Sequence, residues 1–428
     1  MTQPHQNIVV VGGGTGGTLA ANLLAKRLGK MIKSGEAKVS LVSNSKYHTF
    51  QPGLLEIAFE GKNPRKLIRE ERSLVNRNVT YIEEKVDRID LHQQEVSLES
   101  GRKLTYDYLI IATGSVPDPE AIPGLSSGAL NFHTGPEQSL KIWNAIQQLE
   151  KGRVIVGIAG VPHKCPPSPN EATFLLDDYL RKHGKRDQVT ITFLTPYPRP
   201  YPAEPMSKVV EPLFEKKGIE LVTFFNVESV DPVKKELYSL EGETASYDLL
   251  IMVPPHRGAD VVIKSGIGDR DGWIPTDKQT MKINGYEDAY AIGDATNIPV
   301  SKTGVTAHLE AIVAANNIAS SVLKLGELHK YSGRINCPFE MGGGKAAFVV
   351  GSYKDPVHQI QPSRMRHLMK RGFERFYWRT LSGRWDWLLD AYFGKTDIVE
   401  KQSGIFHYRP LIVKEEPINR TSETNTPT

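Results

Sequence analysis

Cysteine is scarce in this chain. Its 428 residues include only Cys165 and Cys337, which form no Cys-x-x-Cys motif and lie far apart in sequence. Two cysteines exclude a framework of several disulfides and an all-cysteine metal site. The histidines show no zinc-type spacing, so we expect no metal ion. Any joint role of the two thiols therefore depends on the fold that brings them together.

Long apolar runs and a strong charge bias are also missing. No segment is apolar for long enough to span a bilayer as a helix. A polar lead precedes the first predicted strand at Ile8, so we expect no secretory signal peptide. A net charge of +4 is too small to indicate a nucleic-acid partner. The length and ordinary globular composition predict two or three domains.

The N-terminal segment carries the glycine signature of dinucleotide-binding turns: Gly12, Gly14 and Gly17. A buried-strand pattern precedes these glycines, an apolar helix pattern follows them, and a second strand is predicted over residues 39–42. Such a turn lets the backbone approach a pyrophosphate, which the N–H groups of the helix N-terminus then bind. Ser43 and Asn44 replace the acid expected after the second strand, although both can hydrogen-bond a ribose hydroxyl. The sequence therefore predicts a dinucleotide site here.

A second strand-and-turn segment, residues 153–167, does not carry this signature. From residue 157 its turn reads Gly-Ile-Ala-Gly-Val-Pro-His-Lys-Cys-Pro-Pro. Thr195, at the end of the following strand, stands where an acid would bind a nicotinamide ribose. The turn instead places Cys165 beside His163 and Lys164, whose charges would favour a thiolate. We therefore predict a degenerate nicotinamide site and electron supply from a thiol.

Further motifs give the chain its resemblance to a known family. They are the Ala112-Thr113-Gly114 turn, the Gly293-Asp294 pair, the segment 163–171, and Cys337 followed by the segment 341–346. With these motifs the chain resembles the two-dinucleotide-fold flavoproteins and, among them, the sulfide:quinone oxidoreductase family. The resemblance covers about residues 7–410. The Lys-Cys-Pro-Pro segment is typical of the sulfide-oxidising branch.

The resemblance implies an α/β fold with two Rossmann-like domains of the glutathione-reductase type and a C-terminal membrane-associating region. The FAD-binding domain would comprise residues 1–114 and 284–325. The second domain, with its degenerate nicotinamide site, would comprise residues 115–283. Residues 326–428 would form the C-terminal region, which holds Cys337, amphipathic helices for membrane and quinone, and a disordered tail.

The same resemblance implies a set of FAD contacts. The three N-terminal glycines would bind the pyrophosphate, Ser43 and Asn44 the ribose, and the backbone of Val86 the adenine. The residues expected beside the flavin and its ribityl chain are Thr113, Gly114, Gly293, Asp294, Lys302, Thr303 and Gly304. The dipole of the helix after Gly304 would stabilise negative charge on a reduced flavin. Because there is no third cysteine, we expect FAD to be bound without a covalent link.

The resemblance also implies a thiol mechanism. A disulfide or polysulfide bridge between Cys165 and Cys337 would be attacked by hydrosulfide, and two electrons would pass through FAD to a quinone. Sulfur would leave as polysulfide or pass to an acceptor. Glu171 is a candidate proton carrier, although Ser168 and Glu171 also match a helix capping box. Lys345 could lie near the quinone or flavin, or it could be an ordinary solvated lysine.

Residues 364–384 read as a basic amphipathic helix with an interruption at Ser382-Gly383. The aromatic and apolar residues that follow are Trp385, Trp387, Leu388, Leu389, Tyr392 and Phe393. Arginines beside aromatics suit the headgroup boundary of an anionic membrane, where a quinone would be reached. We therefore predict a peripheral membrane protein at the cytoplasmic face, with residues 364–393 on the membrane. The alternative is a helix packed on the domain with a solvated basic face.

Other functions remain open at this stage. A type II NADH:quinone oxidoreductase shares the scaffold but needs the glycine signature that is absent after Val156. The flavoprotein subunit of a flavocytochrome sulfide dehydrogenase would normally be exported. A non-catalytic, flavin-binding redox sensor would not turn over with sulfide. The partners expected are sulfide, quinone and a membrane surface, without nucleic acid, and the sequence is compatible with a homo-oligomer.

Overall fold

The computed structural model describes residues 5–384 and 397–401. Its strands are β1 (Gln6–Val11), β2 (Ala37–Ser43), β3 (Tyr47–Thr49), β4 (Ile68–Glu70), β5 (Val79–Glu83), β6 (Val86–Asp90), β7 (Glu95–Leu98), β8 (Lys103–Thr105), β9 (Tyr108–Ile111), β10 (Ser115–Pro117), β11 (Gly152–Ile158), β12 (Val189–Leu194), β13 (Ile219–Val222), β14 (Val227–Asp231), β15 (Glu236–Ser239), β16 (Thr244–Ser246), β17 (Leu249–Val253), β18 (His256–Gly258), β19 (Ala289–Ala291), β20 (Glu327–Tyr331), β21 (Ile335–Glu340), β22 (Ala346–Gly351) and β23 (Asp397–Lys401). Its α-helices are α1 (Thr15–Arg27), α2 (Gly29–Ser34), α3 (Leu54–Glu60), α4 (Glu71–Leu74), α5 (Leu125–Gly128), α6 (Pro136–Gln148), α7 (Ser168–Lys182), α8 (Glu204–Lys217), α9 (Asp260–Ser265), α10 (Gly304–Leu323) and α11 (Arg364–Thr380). Short 3-10 helices cover Gln51–Gly53, Pro64–Leu67, Pro119–Ala121, Arg186–Gln188 and Gly293–Ala295.

A five-stranded parallel sheet in the order β19-β9-β1-β2-β5 organises the N-terminal part. The apolar run of β1 is buried, as expected for a parallel strand covered on both faces, and α1 packs against α10 beside it. The strand order reverses between β1 and β9. In such sheets a ligand binds in the crevice at the carboxyl ends of the two strands where the order reverses. The glycine turn after β1 and the Ala112-Thr113-Gly114 turn after β9 both lie at this crevice.

A second parallel sheet has the order β13-β12-β11-β17. Its order reverses between β11 and β17, and the loop that carries Cys165 follows β11 directly. Two antiparallel meanders, β6-β7-β8 and β14-β15-β16, accompany the two sheets. The predicted α/β class with parallel sheets is confirmed.

The C-terminal part folds back over both sheets. The hairpin β21–β22 carries Cys337, and β21 contacts α7 of the second sheet. Helix α11 is anchored to α1 of the first sheet by Asn22, whose amide donates to the Leu381 carbonyl at 2.6 Å, and by Lys26, whose ammonium donates to the Gly383 carbonyl at 2.8 Å. Among the described helices, none combines the length and apolar character needed to cross a bilayer. Residues 385–396, with the aromatic segment predicted to touch the membrane, lie outside the described residues.

Asp177 on α7 is a buried carboxylate that joins three elements. It accepts hydrogen bonds from Arg181, Arg186 and Lys217 at 3.0, 2.7 and 2.6 Å. Burial by itself would raise the pKa of Asp177, but the hydrogen bonds from these cations outweigh it and lower the pKa.

We expect Asp177→Asn to lower the free energy of unfolding by about 3 kcal/mol at pH 7, because the substitution leaves Arg186 and Lys217, whose side chains are largely buried, without their charge partner. Since the pKa of Asp177 is lower in the folded state, its contribution is present above the unfolded pKa and fades as the pH falls through the folded value. The stability gap between variant and wild type should therefore narrow below about pH 4. Thermal unfolding at several pH values measures this gap, and a gap of constant size would contradict the ion-pair account.

Candidate active site

A cleft of about 1540 Å³, including its open mouth, connects the nucleotide turn to the two cysteines. Residues from six parts of the chain line it: Gly14, Thr15 and Gly16; Gly114; Cys165; Gly293 and Asp294; Cys337; and Lys370, Phe373 and Tyr377. The crevice of the first sheet, the Cys165 loop and the C-terminal helix therefore share one space.

The nucleotide end of the cleft has the shape that a bound pyrophosphate requires. Gly12 has φ +108°, and a Cβ there would lie 2.3 Å from the Ala112 carbonyl oxygen. A Cβ at Gly17 would lie even closer, 1.9 Å from the Gly12 carbonyl oxygen. Gly14 differs, because a Cβ there would meet no protein atom within 4 Å, and no side chain caps the helix N-terminus that begins after it. The N–H groups of this terminus therefore have room for a phosphate.

Other predicted nucleotide contacts occupy different positions relative to the cleft. The Thr113 hydroxyl is buried and has no hydrogen-bond partner among the described residues, which fits a polar ligand beside it. Ser43 is buried at the end of β2, against the glycine turn, whereas Asn44 is exposed. Val86 is buried at the start of β6. Ser43, Asn44, Val86 and Thr113 lie outside the lining of the cleft. The features that fit a dinucleotide such as FAD are the glycine turn and the unpartnered Thr113 hydroxyl.

The Gly293-Asp294 turn and the start of α10 face the same cleft. Lys302 donates to the Asp294 carbonyl at 3.1 Å and lies over the Trp273 ring at 4.0 Å. The Thr303 hydroxyl accepts from the Thr306 N–H and caps α10, so the helix N-terminus is directed at the cleft. Glu310, which the sequence did not reveal as important, accepts the Gly293 N–H at 2.6 Å, and burial raises its pKa to about 8.

The fold brings Cys165 and Cys337 together as free thiols. Cys165 has φ +53°, and its N–H donates to the Lys302 carbonyl at 2.7 Å, which ties the loop to the α10 side of the cleft. Cys337 is buried in β21. A hydrogen bond with Cys165 and burial raise the pKa of the Cys337 thiol well above its usual value. Two thiols in contact can be oxidised to one bridge, which is the chemistry that this arrangement offers.

The two basic neighbours of Cys165 differ in what they contribute. Burial lowers the pKa of His163, so this histidine is neutral at pH 7, and its Nδ1 faces the Lys164 carbonyl oxygen. The expectation that His163 supplies positive charge is therefore wrong. Lys164 lines the cleft; burial lowers its pKa, while the charges of Asp294 and Cys165 act in the opposite direction. Lys164 is the neighbour placed to stabilise a thiolate.

The capping-box interpretation of Ser168 and Glu171 is wrong. Helix α7 begins at Ser168 itself, Pro167 occupies the cap position, and no side chain caps the helix. The Ser168 hydroxyl instead donates to the Cys165 carbonyl at 2.8 Å. Glu171 lines the cleft, accepts the Glu340 N–H at 2.8 Å and pairs with the Lys370 ammonium at 2.7 Å.

Lys345 is not brought to the cysteines. It lies exposed in the turn between β21 and β22 and does not line the cleft. The neighbouring Gly342 and Gly343 of this turn contact Asp178 on α7. Lys345 therefore lies away from the cleft that contains Cys165 and Cys337.

Sequence reasoning missed several residues of the cleft. Lys370 and Phe373 were read only as parts of an amphipathic helix, yet both line the cleft. Phe50 and Tyr377 lie in ring contact, 4.7 Å between centroids, at the same end. His308 on α10 is buried with no hydrogen-bond partner at Nε2 among the described residues, and burial lowers its pKa to about 3. The available signal was that His308 and Glu310 are the two ionisable residues of a helix rich in alanine and aliphatic residues.

A known family model matches most of the chain. The model for pyridine nucleotide-disulphide oxidoreductases covers residues 6–316. The chain belongs to this family. It is 26% identical over 419 residues to the mitochondrial sulfide:quinone oxidoreductase of Mus musculus, covering 94% of this chain and 90% of that relative. It is 28% identical over 396 residues to the protein of the same name from Dictyostelium discoideum, covering 88% and 86%. The X-ray structure of the sulfide:quinone oxidoreductase from Aquifex aeolicus shares the fold, with a TM-score of 0.82 at 23% identity and coverage of 92% and 97%.

Proposed function

We propose that this chain is an FAD-dependent sulfide:quinone oxidoreductase. The observation that carries the proposal is the contact between Cys165 and Cys337 in the cleft that also contains the dinucleotide turn. The relatives from Mus musculus and Dictyostelium discoideum carry this name and are similar over most of their length.

The two parallel sheets support two Rossmann-like domains of unequal function. After β1, which ends at Val11, helix α1 begins at Thr15, so the tight glycine turn leads directly into a helix. After β11, which ends at Ile158, helix α7 begins only at Ser168, and the intervening loop contains Cys165. We assign FAD to residues 1–114 and 284–325, the degenerate nicotinamide site to 115–283, and the second thiol and quinone contacts to 326–428.

We place sulfide oxidation at the cysteine end of the cleft and quinone reduction at the end near α11. Bound FAD would supply two-electron transfer between the cysteine end of the cleft and a quinone. In the oxidised protein, hydrosulfide forms a bond to one sulfur of the Cys165–Cys337 bridge, the bond between the cysteines breaks, and a persulfide and a thiolate result. The Lys164 ammonium stabilises the anion. Sulfur leaves as polysulfide or passes to an acceptor.

The quinone end lies where α11 meets the cleft. Phe50 and Phe373 supply apolar ring surface, and the Lys370 ammonium supplies a hydrogen-bond donor for a quinone oxygen. The neutral His308 imidazole offers a further polar atom in the same lining. An apolar wall with a few placed polar groups suits a ring with two carbonyl oxygens.

Helix α11 also supports attachment to a membrane. Its buried face, with Tyr377 and Thr380, packs on the protein. Its exposed apolar side chains are Met365, Leu368, Met369 and Phe376, and its exposed cations include Arg364, Arg375 and Arg379. The helix therefore both packs on the domain and presents a basic, apolar surface that suits an anionic bilayer. We propose peripheral attachment at the cytoplasmic face, through this helix and the segment up to residue 393.

We expect Leu368→Asp to reduce binding to anionic vesicles by about tenfold, because it places a charge at the centre of the exposed apolar face. Flotation with phosphatidylserine-containing vesicles at low and moderate salt measures this binding. Val233→Asp is the matched control, since Val233 is 91% exposed and lies on another part of the surface. Equal flotation of both variants and the wild type would place the attachment elsewhere.

The proposed function is tested by steady-state turnover with a soluble short-chain quinone. Quinone reduction should depend on sulfide and should not be supported by NADH. Turnover with NADH but not with sulfide would refute the proposal and favour an NADH:quinone oxidoreductase.

A further inference from the structure

Four ionisable side chains form a continuous chain beside the quinone end of the cleft. Glu171 pairs with the Lys370 ammonium at 2.7 Å, and Lys370 lies 3.8 Å from a carboxylate oxygen of Glu340. The same oxygen of Glu340 lies 2.9 Å from Nδ1 of His367. The chain, named here the His367 path, thus joins α7, β21 and α11. The 2.7 and 2.9 Å links have hydrogen-bond lengths, and a small movement of the Lys370 ammonium would close the 3.8 Å link.

Three members of the His367 path are largely buried, and His367 is the most exposed. The side chains of Glu171, Glu340 and Lys370 are 4%, 9% and 13% exposed, whereas that of His367 is 26% exposed. Glu171 and Lys370 line the cleft, and His367 is the end that reaches solvent. Burial raises the pKa of Glu340, while Lys370 and His367 oppose the rise, so a proton on this carboxyl is less costly than on an exposed one. Buried ionisable residues that are linked in this way beside a cleft are typical of functional sites.

The proposed reaction needs a proton from solvent. Oxidation of hydrosulfide to the level of elemental sulfur releases two electrons and one proton. Reduction of a quinone to a quinol takes up two electrons and two protons. One proton per turnover must therefore enter the cleft from outside when hydrosulfide is the substrate.

We propose that the His367 path delivers this proton to the quinone, an inference that rests on the proposed function. An N–H bond of Lys370 breaks as an O–H bond forms on the quinone oxygen. Lys370 regains its proton from Glu340, Glu340 from His367, and His367 from water. Glu171 holds the Lys370 ammonium at the cleft and balances its charge. His367 and Glu340 are thus positioning and relay residues that act through Lys370.

Proton uptake during oxidation of the reduced protein by quinone tests the proposal. The FAD-loaded protein is reduced with stoichiometric dithionite, which bypasses sulfide, and mixed with a soluble quinone in weak buffer containing a pH-indicator dye. The α10 dipole would keep the reduced flavin as an anion that carries one transferable proton, so in the wild type uptake of one further proton should keep pace with flavin reoxidation. His367→Gln should slow both by about tenfold or more, and added imidazole should restore them.

His329→Gln is the matched control. His329 also pairs with a carboxylate, Glu327 at 3.6 Å, but it lies on β20 and does not line the cleft. This variant should take up the proton at the wild-type rate. Proton uptake by His367→Gln at the wild-type rate would overturn the proposal, as would a slow variant that imidazole does not restore, because a structural defect is not repaired by a diffusible base.

The two proposals can fail separately. If sulfide does not reduce the flavin but dithionite-reduced protein shows the expected proton uptake, the sulfide activity is wrong and the His367 path stands. If sulfide reduces the flavin and His367→Gln behaves as wild type, the function stands and the path is wrong. If quinone does not reoxidise the flavin at all, both are overturned.

Discussion

Cys337→Ser should lower the rate at which sulfide reduces the flavin by at least about a thousandfold, while the protein keeps its FAD. The reason is that Cys337 and Cys165 act as one unit. Without either sulfur there is no bridge for hydrosulfide to attack and no thiolate to leave. Serine preserves the size and hydrogen bonding of the side chain, so the buried strand around position 337 should remain folded. Anaerobic mixing with sulfide, followed at the flavin absorbance band, measures the rate.

Three further variants make the result specific. Cys165→Ser should be as slow as Cys337→Ser, and the double variant should be no slower, because residues of one catalytic unit are not additive. Val349→Ala is the packing control, since Val349 is buried opposite Cys337 on β22 and contains no sulfur. If sulfide reduces the flavin of either serine variant at more than a few per cent of the wild-type rate, the thiols are structural.

Gly14→Val should produce a folded protein that binds FAD at least about a hundredfold more weakly, a loss of about 2.7 kcal/mol. A Cβ at Gly14 meets no protein atom, and its φ of −82° is accessible to valine, so the folded chain itself should tolerate the change. The side chain would instead occupy the space in front of the α1 N-terminus, where the pyrophosphate binds. Titration of stripped protein with FAD, followed by quenching of flavin fluorescence, gives the affinity.

Gly29→Val is the matched control for this prediction. Gly29 also has open space around its Cβ position, but it lies at the start of α2, away from the cleft. This variant should bind FAD as the wild type does, and both variants should retain wild-type circular dichroism. If Gly14→Val purifies with a full complement of flavin, the nucleotide does not bind at this turn.

The parts of the molecule that follow local rules could be predicted from the sequence. The glycine turn after β1 was predictable because a buried strand, close-approach glycines and an apolar helix follow one another within a short stretch. The α/β class came from the family resemblance. The pairing of Cys165 with Cys337 came from the family resemblance, since no local rule relates two residues so far apart.

The parts that depend on long-range packing could not be predicted. Ser168 and Glu171 match a capping box locally, but Glu171 is drawn to Lys370, 199 positions away, and to the backbone of β21. His163 looks cationic in sequence and is made neutral by burial. The two faces of α11 were recognised, but the sequence did not show that one face closes the active-site cleft, because this depends on α11 folding back onto α1.

The most direct test of the central claim is anaerobic stopped-flow absorbance of the FAD-loaded protein, mixed separately with sulfide and with NADH. The thiol pair and the loop that replaces the second glycine turn predict rapid bleaching of the flavin band by sulfide alone, reversed by a soluble quinone. Rapid bleaching by NADH alone would contradict the account, because electrons would then enter through a nicotinamide and not through Cys165 and Cys337.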